Sequence, residues 1–429
     1  MQLKKIQEII DTGTGFFKTR GWVKRKRDLT EKIFILLRDE TNELQCVIDK
    51  NASKELIEKA EKMLVESSCI IEGNLKKDER APHGIELNVT NIEVINFAEK
   101  FPIQRDLSTE FLLDVRHLWL RSSKMKHALK VRSTVFKAFH DFMRSKNAIE
   151  VQCPMFVTGA VEGGSTLFEV PYFGKKAFLT QSSQFYLETM IFSLGNVYTV
   201  APSFRAEKSK TSRHLTEFWH AEAEFPWMHL NELLDLEEEM IKFIVSQVIE
   251  KNSKELKLLG RNIADLEPTI KGKFKRVTYR EMLEKAKKKF SYLKFGSDFG
   301  EKEERELTRN EEMPVLVTHY PKSLKPFYHR VNPEDKETVL CCDVLAPEGY
   351  GEIIGSGERC WTKEELLSRM KEENIDLKPY QWYIDLRLYG AVPHSGFGLG
   401  LDRITAWLIK AQHIRDVIPY PRTMTRLYP

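Results

Sequence analysis

From His214 to Phe225 the chain alternates with period two. Thr216, Phe218, His220, Glu222 and Glu224 fall on one face of a strand, and Trp219, Ala221, Ala223 and Phe225 on the other. The second face suits a core, whereas the first is too polar for one. Upstream, a β-like run ends in Phe204-Arg205-Ala206-Glu207, and a polar loop from Lys208 to Arg213 joins the two runs, which predicts a hairpin with a basic connection. Arg205, Glu207, Phe218 and Glu222 then form one candidate floor. It offers a guanidinium for a phosphate fork, a ring to stack a base, and carboxylates for amines or metal. Taken alone, the segment also reads as an exposed, charge-studded hairpin.

Two further stretches carry chemistry. Ser395-Gly396-Phe397-Gly398-Leu399-Gly400-Leu401-Asp402-Arg403 reads as a Gly-rich turn opening a helix at Leu401, with Arg403 in the first helical turn facing whatever lies on the glycines. Tight packing is the rival explanation. The chain has no G-x-x-x-x-G-K-[ST], and the G-x-G-x-G spacing lacks the gap and strand context of a dinucleotide fingerprint, so any nucleotide is held another way. Between Asp343 and Arg359, acidic groups flank a turn and an Arg follows small residues, a composition suited to a hard cation beside an anion or, alternatively, to structural salt bridges.

With 429 residues, the chain has room for two or three units with cores of their own. A net charge of +4 excludes a protein that coats polyanions by bulk charge, and 41% apolar with 30% charged residues describes a folded protein. No run of about 18 apolar residues occurs and Met1 to Arg20 lacks an apolar signal core, so the expectation is a cytoplasmic protein without membrane spans. Six cysteines without a C-x-x-C pair argue for reduced structural thiols.

The expected fold class is α+β. Residues 1–100 read as five short strands, Gly21–Val23, Lys32–Arg38, Leu44–Asp49, Cys69–Asn74 and Ile85–Val94, with a helix over Ser53–Ser67, as in a five-stranded OB-type barrel. Phe101-Pro102 opens a connecting segment over 101–124. Residues 125–429 form the larger unit, an antiparallel sheet with helices against it, in which about 251–330 is charge-rich and carries no legible period. Lys24-Arg25-Lys26-Arg27 reads either as a solvated run or as a phosphate-contacting patch.

In order and spacing these segments resemble the three motifs of the class II aminoacyl-tRNA synthetases. Val131 to Pro154 is similar to the dimer-forming first motif, Phe204 to Glu224 to the second, and Gly396 to Arg403 to the third. Gln181-Ser182-Ser183-Gln184-Phe185-Tyr186-Leu187-Glu188, the barrel, and the ending Pro421-Arg422 to Pro429 are similar to the aspartyl/asparaginyl subgroup in its archaeal and eukaryotic form. The resemblance implies ATP and Mg²⁺. It places Arg205 on the α-phosphate and the amino acid carboxylate, Glu207 near adenosine and magnesium, and Phe218 on adenine, with Leu215 and Gly400 in the same ATP site. Arg213 and His214 reach the terminal phosphates, Arg403 closes the other side, and Glu352 with Asp343 holds magnesium. Asp402 stands where most relatives have Glu. Glu162, in the loop Val157 to Gly164, contacts the substrate amino group with Gln184 beside it.

The same resemblance implies L-asparagine as substrate, tRNA(Asn) as acceptor and a homodimer through Val131 to Pro154. Aspartate recognition in the sister family uses a Lys and an Asp where this chain has Leu187 and Glu222. Glu222 opposite Arg359, near Gly355, accepts from an amide NH2 as Arg359 donates to the amide oxygen. Aspartate meets Glu222 as a like charge, and two charges about 4 Å apart at an effective dielectric of about 20 repel by about 4 kcal/mol. Phe34 and Gln45 sit eleven residues apart, as do the stacking aromatic and base-reading amide of anticodon-binding relatives, with Lys24, Arg25, Lys26 and Arg27 as phosphate contacts. Phe34 as barrel core is the competing reading. Other enzyme readings are a relaxed aspartate-charging enzyme and a synthetase-related maker of asparagine; a non-catalytic RNA-binding descendant is the reading from another class. The expected geometry has Arg205, Arg403, Glu222 and Arg359 facing one cavity.

Overall fold

The computed structural model describes residues 2–104, 107–159, 167–208 and 211–429. Two compact units, Met1–Leu112 and Leu113–Pro429, divide the chain inside the expected connecting segment, which carries short helices over Thr109–Asp114 and Arg116–Trp119.

The first unit is a closed barrel of β1 (Gly15–Asp28), β2 (Lys32–Arg38), β3 (Glu43–Asp49), β4 (Ser68–Lys77) and β5 (Ile85–Asn96), in the order β1-β2-β3-β5-β4. Closure depends on β1 being long enough to pair with both β2 and β4. Gly21 marks where the strands crowd, since a Cβ there would lie 2.3 Å from the Arg38 carbonyl oxygen. A bulge between Val23 and Arg25 shifts the register, setting Arg25 opposite Leu36 and Arg27 opposite Phe34. Ile33, Ile35 and Leu37 fill the barrel, so Phe34 lies on its outer face, not in its core.

The four-residue basic run divides in two. Lys24 is ion-paired with Glu43, and Lys26 donates to the Ala60 and Glu61 carbonyls, whereas Arg25 and Arg27 are exposed. Gln45 donates to Glu86 at 3.1 Å. The sequence expectation missed the first helix, Ile6–Thr12, and the full length of β1; the helix after β3 is shorter than expected, Lys54–Lys62, capped by Ser53.

The second unit is built on β6 (Ile149–Glu150), β10 (Val197–Phe204), β11 (Glu217–Pro226), β12 (Lys275–Thr278), β13 (Val315–Thr318), β14 (Cys341–Ala346), β15 (Gly351–Glu358) and β16 (His394–Gly400), ordered β12-β13-β14-β15-β16-β11-β10-β6. Pairing is antiparallel except at the two edges. A small sheet of β7 (Phe156–Val157), β8 (Glu169–Tyr172) and β9 (Lys175–Leu179) stands beside it. Ala221, Ala223 and Phe225 pack against the long helices Ser123–Ser145 and Leu230–Leu258 through Phe139, Leu233 and Ile241, which leaves the polar face of β11 on the other side of the sheet. The segment 251–330 is ordered: helices Tyr279–Lys287 and Glu301–Thr308 flank their own small core of Tyr279, Phe299, Val317 and Tyr320. These helices are short and bury a narrow stripe among many Lys and Glu, so the period stays faint in sequence.

One buried acid in the helix layer has no ion pair among the described residues. Glu237 is fully buried in helix Leu230–Leu258, and the nearby Ser356 hydroxyl donates to the Cys342 carbonyl instead. Burial pushes its carboxyl up to about 8, so it is neutral in the folded state. Its unfolded value is about 4.3. Unfolding therefore releases a proton between these limits, and stability falls with rising pH across that window. Glu237→Gln is expected to remove this loss, raising unfolding free energy by about 4 kcal/mol at pH 8 with a smaller gain at pH 5.5, as read from urea midpoints at the two pH values.

Candidate active site

The geometry of the polar face is set by glycines. Gly396, Gly398 and Gly400 form not a turn but the strand β16, between β11 and β15. A Cβ at Gly396 would fall 2.1 Å from the Glu224 carboxyl carbon, and one at Gly398 would fall 2.4 Å from Nε2 of His220. The missing side chains let the neighbours' charged groups lie across the strand. The register aligns Glu222, Gly398, Gly355 and Asp343 in one row across four strands, and Glu224, Gly396 and Gly357 in the next.

At one end of this trench, a cavity is lined by Arg205, Glu207, Arg213, His214, Glu352 and Arg403. Its apolar wall is Leu215, Phe218, Ile353, Ile414 and Met424, with His220, Gly398 and Gly400 on the floor. Arg205 extends the hairpin ladder, its N–H donating to the Thr216 carbonyl at 3.0 Å, and its guanidinium lies 5.5 Å from the Phe218 ring centre. Arg403 Nη1 pairs with Glu352 at 2.9 Å. Burial alone would raise the Glu352 carboxyl, but Arg403, Lys325 and Arg205 hold it well below the usual range. Burial and the adjacent Arg403 hold His214 below its ordinary value.

Of the residues expected to bind the amino acid, Arg205 lines this cavity, whereas Gln184, Leu187, Glu222, Gly355 and Arg359 do not. Arg359 faces Glu224, not Glu222: Nη2 is 2.5 Å and Nε 3.2 Å from Glu224 Oε1. The register explains the correction, because Arg359 follows Gly357 and Glu358 and so reaches the row of Gly396 and Glu224. Glu222 accepts from the Ser182 hydroxyl and from the Ser183 N–H at 2.8 Å, and its Oε1 is 3.4 Å from Nδ1 of His220. Glu222 and Arg359 are 2% and 3% exposed, so the four-charge cavity expected from sequence is instead an open end with Arg205 and Arg403 and a closed end with Glu222 and Arg359. Leu187 is fully buried with Val151, Cys153, Ile191 and Val197, a packing position with no exposed surface. Glu162 lies outside the described residues.

Several site groups were not legible. Gln184 donates at 3.0 Å to Glu188, a buried carboxylate that also takes Arg387, His394 and Tyr383. Asp343 is gripped by Lys325 at 2.6 and 2.7 Å. Burial and Glu352 push its carboxyl up against the pull of Lys325. Glu304 takes Arg213 Nη1 at 2.6 Å and the Glu352 N–H at 3.1 Å. Glu188 was visible in sequence within the Gln181 run; Glu304 and Lys325 lie in the illegible region, where nothing marked them.

Residues 108–424 match the family of tRNA synthetases class II (D, K and N), and residues 17–95 match the OB-fold nucleic acid binding domain. This chain belongs to the class II aminoacyl-tRNA synthetases. It is 50% identical to the asparagine-tRNA ligase of Thermoplasma acidophilum over 96% of each chain. The asparaginyl-tRNA synthetase from Pyrococcus horikoshii complexed with asparaginyl-adenylate superposes with a TM-score of 0.96 at 44% identity, each chain covered in full. An Entamoeba histolytica asparaginyl-tRNA synthetase gives 0.87 at 32% identity over 96% of each. The large sheet is tied to its helix layer by Asp402. Its carboxylate pairs with Arg132 at 2.9 Å and accepts the Trp219 N–H at 2.9 Å, all in the interior. Asp402→Ala leaves a buried guanidinium unpaired and is expected to lower stability by about 3–5 kcal/mol. Arg132→Met combined with Asp402→Leu should cost less than that single change, by chemical denaturation.

Proposed function

We infer that this class II synthetase ligates L-asparagine to tRNA(Asn) at the expense of ATP, through an asparaginyl-adenylate. The observation that carries the reading is the full-length likeness to the Pyrococcus horikoshii enzyme complexed with asparaginyl-adenylate. The trench supports it. The asparagine carboxylate attacks the α-phosphorus, pyrophosphate leaves, and the acyl group passes to a terminal ribose hydroxyl of the tRNA. The nucleophile is already ionised, so no general base is required. The work of the site is in-line positioning and neutralisation of the phosphoryl oxygens by Arg205 and Arg403, with Arg213 and His214 toward the terminal phosphates. Phe218 and Leu215 offer the base an apolar bed above the glycines, and Glu207 lies beside the ribose. Glu352 and Asp343, which both border Gly355, would hold magnesium by carboxylates in exchange for the Arg403 and Lys325 they pair with in this structure, and it would add charge neutralisation at the triphosphate.

Asparagine is selected at the closed end of the trench. Glu224 neutralises Arg359, which leaves Glu222 as the acceptor for an amide NH2 and a repulsive neighbour for a carboxylate. Gln184 lies beside it, and the apolar packing of Leu187 puts no cation there. The barrel takes the anticodon on the face of Phe34, Gln45, Arg25 and Arg27. The exposed edge strand β6 with Ile149 supports a homodimer through Val131 to Pro154. No described helix is long and apolar enough to cross a membrane, in keeping with a cytoplasmic enzyme.

Charging of purified tRNA(Asn) with each labelled amino acid tests the reading: asparagine is expected to be attached and aspartate to be disfavoured by on the order of 10³-fold, from about 4 kcal/mol of repulsion. Comparable charging of both would overturn it. Arg205→Ala should keep its melting curve and lose about 10²–10³-fold in asparagine-dependent ATP–pyrophosphate exchange. Glu222→Gln, which removes the like charge, should narrow the preference for asparagine over aspartate in the same assay.

A further inference from the structure

A second cavity of about 310 Å³ adjoins the first, and the two share Arg213, Arg403 and Ile414. It touches neither Phe218 nor His220. Beyond the shared arginines it adds Arg305 and Lys410, so four cations face one space. Glu348 is the one acid among its lining residues, and it is already engaged twice by Arg261, at 2.8 and 2.6 Å. A water occupies about 30 Å³ of liquid, so the space has room for about ten, enough for a small polyanion with part of its hydration shell.

The cavity is built, not incidental. Helix Glu301–Thr308 supplies Arg305, and the same helix ties down the basic loop: Glu304 holds Arg213, and Glu301 accepts from the Ser212 hydroxyl at 2.8 Å. Gly349, at φ +83°, lets the Arg305 stem lie across the turn before β15, since a Cβ there would sit 3.0 Å from Arg305 Cγ. Arg305 and Lys410 are about half exposed, and their ion pairs, with Glu301 at 2.9 Å and Glu348 at 3.2 Å, are of the weak surface kind that a more highly charged ligand displaces.

We propose that this second cavity is a binding site for inorganic pyrophosphate, through which the leaving group passes from Arg213 and Arg403 to Arg305 and Lys410. The proposal rests on the ATP-dependent reading of the first cavity. Adenylate formation leaves a polyanion beside two arginines, and a dry path out would hold it there; a second pair of cations, flexible and half-solvated, gives it an intermediate partner on the way to water. Neither Arg305 nor Lys410 borders the base or the amino acid end, so their effect falls on pyrophosphate rather than on substrate.

The test uses the full-length enzyme with Arg305→Gln, Lys410→Gln and the double variant, each checked by melting curve. Inorganic pyrophosphate is titrated into the free proteins by calorimetry and used as product inhibitor of aminoacylation. The double variant is expected to weaken pyrophosphate binding and inhibition about tenfold, with KM for ATP and asparagine within about twofold of the parent. Arg305→Lys should restore most of the affinity. Unchanged pyrophosphate binding overturns the proposal, and so does a matching rise in KM for ATP, which would place the ATP γ-phosphate in this cavity instead. A parent enzyme with no asparagine-dependent exchange defeats the functional reading, and the calorimetric comparison still reports on the cavity by itself.

Discussion

The site depends on side chains that are absent. From Gly396 to Gly400 every second residue of β16 is glycine, and the space that Cβ atoms would fill at Gly396 and Gly398 is taken by Glu224 and His220 reaching over from β11. Gly355 and Gly357 continue the two rows into β15. A sheet face with ordinary side chains would be a packed surface; with these removed it becomes a trench floored by backbone. Glycine in a central strand costs conformational entropy and packing. That cost is sustained here by the apolar underside, where Phe397, Leu399 and Ile354 of the same strands pack into the helix layer.

A trench lined by so many charges is tenable only if they are paired, because an unpaired buried charge costs several kcal/mol. The pairing is systematic: Arg359 with Glu224, Lys325 with Asp343, Arg213 with Glu304, Arg403 with Glu352, and Glu188 with Arg387. The burial of these pairs is graded. Arg387 and Glu188 have almost no exposed surface, whereas Arg403 and Glu352 are 23% and 35% exposed. The deep pairs fix the walls, and on the proposed reading the open-end pairs exchange a protein partner for a ligand's phosphate. Preorganisation and adaptability are thereby separated along a single groove.

Much of this was legible in the sequence, for identifiable reasons. The period-two face of β11 fixed both what packs inward and what lines the cavity, and Arg205, Glu207, Phe218, Arg213, His214, Glu352 and Arg403 do converge there. The barrel strands announced themselves by alternation and turn residues. Register was not legible. Sequence cannot say which residue of one strand stands opposite which of another, so the pairing of Arg359 with Glu224, two residues on from Glu222, is visible only in the structure. A glycine-rich strand also mimics a turn, because the signal for close approach is the same in both. Glu304 and Lys325 stayed invisible because their meaning comes only from the Arg213 and Asp343 they meet across long sequence separations.

The register correction alters the physics of side-chain selection on the proposed reading. Had Arg359 been a free cation beside Glu222, the closed end would present a plus and a minus charge, and either an amide or an acid would find a complementary half. With Arg359 already donating three hydrogen bonds to Glu224, that cation is largely engaged, and the Ser182 hydroxyl and Ser183 N–H hold Glu222 in place as an acceptor. An incoming carboxylate then meets Glu222 as a like charge, while an amide brings a donor to Glu222 and no charge to repel. Discrimination of this kind comes less from a favourable contact with the right side chain than from an unfavourable one with the wrong side chain.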